Sequence, residues 1–155
     1  MIIASLKSIY KRDLEKLKQE IGQYRDESVI WKTDGDITNS AGNLCLHLIG
    51  NLKAYIGAEL GQSGYVRERD LEFSTKGTSR AEMVKGIDEA IAVIDSTLDN
   101  MTAEQLEADY SKPVFADKAT MTTGYFLIHL ATHLNYHLGQ INYHRRIFDQ
   151  GGGNN

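Results

Sequence analysis

Cysteine and proline are nearly missing from this chain, which has one of each in 155 residues. The lone Cys45 excludes an internal disulfide and a multi-cysteine zinc site, and it fits a reducing compartment. A single proline and few alternating β-branched runs point to helices, while fourteen glycines leave material for the loops between them. Long apolar runs are missing too. The segment from Met1 meets Lys11-Arg12-Asp13 too soon for a signal-peptide core, and no run reaches the roughly 18 apolar residues of a membrane span. There is no excess of positive charge: 17 basic against 21 acidic residues give a net charge of −4, with the basic ones scattered. Nucleic acid is therefore not an expected partner. No GxGxxG, P-loop or GxSxG pattern occurs, which removes dinucleotide, nucleoside-triphosphate and α/β-hydrolase readings in their recognisable forms. The expectation is a cytoplasmic protein with no membrane segment. Residues 1–150 form one domain, long enough to bury a core without help from a metal, and 151–155 form a flexible tail.

Apolar residues at three- and four-residue steps predict an all-α fold of four main helices. The first covers about 2–25, carrying Leu6, Tyr10, Leu14, Leu17 and Ile21. A loop over 26–40 ends in N-cap residues, and a mostly buried second helix covers about 41–60. Cys45 lies nearly opposite His47 on it and reads as a small core residue. Residues 61–77 are the most irregular and read as a solvated loop of mixed charge. Ser79-Arg-Ala-Glu82 has capping-box spacing and opens a third helix to about Leu98, and Thr102-Ala-Glu-Gln105 repeats the signature before a short helical turn. Residues 110–120, with Pro113, predict an extended connection with a short strand or hairpin. The last helix starts at 120–123 and ends near Phe148.

The chemistry concentrates in that last helix. His129, His133, His137 and His144 are four of the five histidines, and steps of four, four and seven residues place them on one stripe. The fifth, His47, lies in the second helix within a row of polar groups, Asn43, His47, Asn51 and Tyr55, at four-residue intervals. Such a row either makes a core hydrogen-bond network or faces a polar cavity. His47 with the His133/His137 pair makes a three-imidazole set suited to a divalent ion such as zinc or nickel, with a coordination position left open. His129, Gln140, His144 and Asn51 are candidates to support or extend that site. Arg67 and Arg69 can clamp a carboxylate or phosphate of a cofactor, or Glu68, Asp70 and Glu72 can hold those arginines in place.

Gly42-Asn-Leu-Cys-Leu-His47-Leu-Ile-Gly-Asn51-Leu and His129-Leu-Ala-Thr-His133-Leu-Asn-Tyr-His137-Leu-Gly139-Gln140-Ile141 resemble the DinB-like, or YfiT-like, superfamily of bacterial four-helix-bundle proteins. The stretch Tyr65-Val-Arg67-Glu-Arg69-Asp70-Leu-Glu72-Phe73 resembles a subgroup known only as a domain of unknown function. The resemblance implies a bundle with a long crossover connection, a divalent metal at His47, His133 and His137, and homodimers. It also implies, for some relatives, transferase or isomerase chemistry on an electrophile with a low-molecular-weight thiol. His133 stands where the maleylpyruvate isomerase branch has glutamate, which favours the all-histidine, transferase-like branch. Two other readings stand beside the thiol transferase: a metal-dependent hydrolase that activates water, and a non-catalytic metal- or ligand-binding, regulatory bundle.

Overall fold

Six α-helices and no strand occur among the residues that the computed structural model describes, 1–116 and 120–150. They are α1 (Ile2–Gly22), α2 (Ala41–Leu52), α3 (Arg69–Ser74), α4 (Arg80–Asp99), α5 (Ala103–Glu107) and α6 (Thr123–Phe148). The fold is all-α, as the periodicity predicts. The four long helices close into a ring, α1 packing on α4 and α6, and α2 packing on the same two. Each turns its apolar stripe inward: Leu6, Tyr10, Leu14, Leu17 and Ile21 from α1 meet Leu48 and Leu52 of α2, Ile87 and Ile94 of α4, and Phe126, Leu130 and Leu134 of α6 in one core. Cys45 is fully buried there, and burial pushes its thiol up to about 12, as a small core residue requires. No helix of the described residues is long and apolar enough to cross a membrane.

The helix starts follow the cap residues. Ser40 Oγ accepts from Asn43 N–H at α2, Thr122 Oγ1 accepts from Tyr125 N–H at α6, and the Ser79/Glu82 and Thr102/Gln105 boxes are both formed. The ends differ from expectation in four places. α1 stops at Gly22 rather than near 25, because Tyr24 turns into the core, where its hydroxyl meets His144 Nδ1 at 2.7 Å and Arg80 holds its carbonyl. The 26–40 loop contains a 3₁₀ turn, Glu27–Trp31. The second helix changes character at Lys53, where a π turn, Lys53–Ala58, replaces the α pattern. Gly57 keeps that wide turn close to α4, where a Cβ would lie 3.1 Å from Val93. In place of a strand or hairpin after residue 110 there is one isolated bridge, Asp109 to Thr122, with Tyr110 N–H donating to Met121 O at 2.9 Å. Part of that connection, 117–119, and the 151–155 tail expected to be flexible lie outside the described residues.

Ser79→Ala removes one hydrogen bond of the α4 capping box and should lower stability by about 1 kcal/mol in urea denaturation. Because the cap lies away from the histidines, metal content should stay unchanged.

Candidate metal centre

Helical geometry brings the pair on α6 together, and the α2–α6 contact adds the third group. His133 and His137 stand one turn apart with their Nε2 atoms 3.1 Å from each other, and His47 Nε2 lies 3.2 Å from His133 Nε2. The three rings are close to mutually perpendicular, at 79°, 89° and 90°. One ligand atom from each lies within 4.8 Å of the others, so the three can hold one metal ion. Zinc–imidazole bonds of about 2.0–2.1 Å put neighbouring nitrogens of a tetrahedral site roughly 3.3–3.4 Å apart. The two contacts are within a few tenths of an ångström of that spacing.

The segment read as a solvated loop supplies the principal support of this cluster. Residues 69–74 form α3, which packs against α2 and carries Glu72 into the interior, where it is buried. Glu72 Oε2 lies 2.9 Å from His47 Nδ1, and Arg67 donates through Nε to Oε1 at 2.7 Å and through Nη2 to Oε2 at 2.9 Å. Phe73 packs on the His47 ring at 5.0 Å. Burial favours the protonated acid, but the hydrogen bonds from His47 and Arg67 outweigh it and hold Glu72 below the usual carboxylate range. Asn43 ties α3 down by donating to Glu72 O and Thr75 O at 2.9 and 2.8 Å. Gly50 makes room, since a Cβ there would lie 2.1 Å from Glu72 Oε1 and 2.8 Å from its Cδ. Glu72 was legible only as one of three acids able to hold an arginine. Its contact with His47 has no sequence signal, because a six-residue helix shows no periodicity.

These contacts set the proton positions. Glu72 is nearer His47 Nδ1 than Arg67 Nη2 is, 2.9 against 3.3 Å, so Nδ1–H donates to the carboxylate and the Nε2 lone pair faces the cluster. Gln140 Oε1 lies 2.6 Å from His137 Nδ1, which fixes the same tautomer there. His133 Nδ1 is buried without a partner among the described residues. Burial first, then the neighbouring imidazoles and Arg67, push His133 down to about 4, and burial lowers His137 despite the Gln140 hydrogen bond. Two Nε2 lone pairs, of His47 and His137, converge on His133 Nε2, and the three nitrogens together form a donor set that a divalent ion satisfies.

The other predicted residues divide. His129 stands half-buried one turn before His133, between Phe115 and Phe126, and lines a cleft with Asn51, Arg67 and Arg69. His144 is directed elsewhere: Nδ1 meets the Tyr24 hydroxyl, and Nε2 donates to Lys32 O at 2.8 Å. Arg67 is occupied by Glu72, whereas Arg69 is exposed and lies over the Phe73 ring at 5.3 Å. A second cleft, of about 460 Å³, lies farther along the same face of α6, past His137, Gln140, Tyr136 and Tyr143.

Two outcomes follow from this geometry. Gly50→Ala improves intrinsic helix propensity by about 0.5–1 kcal/mol but drives a methyl into Glu72. Metal affinity, measured by chelator competition, should fall by about 10–100-fold, the usual cost of losing a supporting carboxylate. Gly139→Ala, on an open helix surface, should keep wild-type affinity. Metal-free protein should also lose stability in acid. An unfolded histidine titrates near 6.5, and His133 in the fold titrates near 4. Between those values the unfolded chain binds more protons. Stability is therefore complete above about pH 6.5 and declines as pH falls toward 4, with Glu72 adding a loss below its ordinary range. Urea midpoints across pH 4–7 should show this slope, and His133→Gln should flatten it.

No curated protein matches the chain. The sequence pattern of one family does, over residues 2–152, and its description is a protein of unknown function, DUF1572. With nearly its whole length covered, the chain belongs to the DUF1572 family.

Proposed function

We propose that this protein binds one divalent ion, zinc or nickel, through His47, His133 and His137, and uses it as a transferase acting with a low-molecular-weight thiol. The observation that carries the reading is the pair of hydrogen bonds, donated by His47 Nδ1–H to Glu72 and by His137 Nδ1–H to Gln140, that turn two Nε2 lone pairs toward His133. The ring of α1, α2, α4 and α6, with ligand positions on α2 and α6, supports placing the chain among DinB-like four-helix bundles. A divalent ion held there would keep a bound thiol deprotonated at neutral pH.

The protein's own residues fit that role better than water activation. A bound divalent ion would bring water only to a pKa near 7 but would deprotonate a thiol outright, and Glu72 cannot assist water as a base because both its oxygens are engaged by Arg67 and His47. Glu72 instead neutralises Arg67 and orients His47. The clefts on the two sides of the histidines give separate approaches, one past His129 and Arg69, the other past Gln140 and Tyr143.

Metal content per chain should be near one in untagged protein purified without chelators, and should be lost in His47→Ala and His133→Ala. In a cobalt-substituted sample, adding a thiol should shift the visible spectrum. Metal without a thiol response would favour the non-catalytic binding protein, and equal metal in wild type and variants would overturn the site.

A further inference from the structure

Asn51 continues the polar row of α2 one turn beyond His47, but its situation differs from that of its neighbours. Asn43 and His47 find their partners on α3. Asn51 is only 6% exposed, and its Oδ1 is buried with no hydrogen-bond partner among the described residues. A buried carbonyl without a donor destabilises a fold, and such groups are rare unless something outside the chain satisfies them. Asn51 lines the cleft beside His133, a space of about 210 Å³, or room for roughly seven waters at about 30 Å³ each.

The rest of the lining narrows the ligand. Arg67 and Arg69 both border the cleft, and no acidic side chain of the described residues does. Arg67 is neutralised by Glu72, while Arg69 has no ion-pair partner among the described residues. Its exposed guanidinium is placed to receive an anion in bidentate fashion. Val114, Phe126 and Leu130 give a short apolar wall. The buried acceptor asks for an O–H or N–H, and with two arginines bordering the cleft a neutral hydroxyl suits it better than an ammonium group.

We propose that this cleft is a subsite for a small hydroxycarboxylate, its hydroxyl donating to Asn51 Oδ1 and its carboxylate bound by Arg69. The proposal goes beyond the metal site, and the binding it describes needs no ion. It gives the transferase reading a class of second substrate, delivered next to His133.

Calorimetric titration of the full chain with DL-lactate, propionate and propane-1,2-diol tests it, using metal-free and zinc-loaded protein side by side. Lactate should bind metal-free protein with a Kd below about 10 mM, and propionate and the diol about tenfold more weakly, the value of one well-made hydrogen bond or ion pair. Arg69→Ala, an exposed change, should weaken lactate and propionate alike. Asn51→Leu should erase the preference for lactate over propionate and raise Tm, because it removes the unpartnered carbonyl. Equal binding of lactate and propionate to wild type, or no binding of either, would overturn the subsite. So would an Asn51→Leu protein that melts lower and still prefers lactate. Metal loss in the histidine variants with lactate binding intact leaves the subsite standing and concerns the metal centre alone.

Discussion

The buried carboxylate of Glu72 sets the terms for the region around the histidines. A charge taken out of water is tolerated only when it is paired and fully hydrogen-bonded. Here the partners are the fork of Arg67 and the Nδ1–H of His47. Meeting that requirement folds residues 61–77 back over α2, winds six of them into α3, and demands a glycine at position 50. The same contact chooses the His47 tautomer. An electrostatic need in a connecting segment thereby becomes the orientation of a potential metal ligand on a different helix.

The sequence was most informative where physical regularity repeats. Four-residue histidine spacing on α6 and the apolar stripes of α1, α4 and α6 are consequences of helical pitch, and the cap signatures located the starts of α2, α4 and α5. Tertiary choices were hidden. His144 shares the helical spacing of His137, yet Tyr24 and the Lys32 carbonyl draw it into a separate hydrogen-bonded pair. The end of α1 follows the same competition, with Tyr24 reaching a core partner rather than prolonging the helix. α3 was invisible because its stability comes from docking and not from propensity. Asn51 was recognisable as a member of a polar row, but not as the member left without a protein partner.

The arrangement also separates duties along α2. Its first turns are committed to α3 through Asn43 and His47, and its last turn brings the buried Asn51 to the edge of a cleft before the π turn begins. Such wide turns often adjoin functional sites. One helix thus carries both a rigid, satisfied face and an unsatisfied one within two turns, which is the pattern expected where binding is bought with some stability.

A final consequence concerns chain topology. His47 and His133 are 86 residues apart in sequence. An ion shared by them would act as a clip across that span, tying α2 to α6 in a chain whose single cysteine rules out an internal disulfide. Closing a loop of this length reduces unfolded-chain entropy by an amount equivalent to roughly 4–5 kcal/mol in the ideal cross-link limit. The metal centre would then serve as a removable cross-link, so that cellular metal supply governs how long the folded chain persists as well as what it can bind.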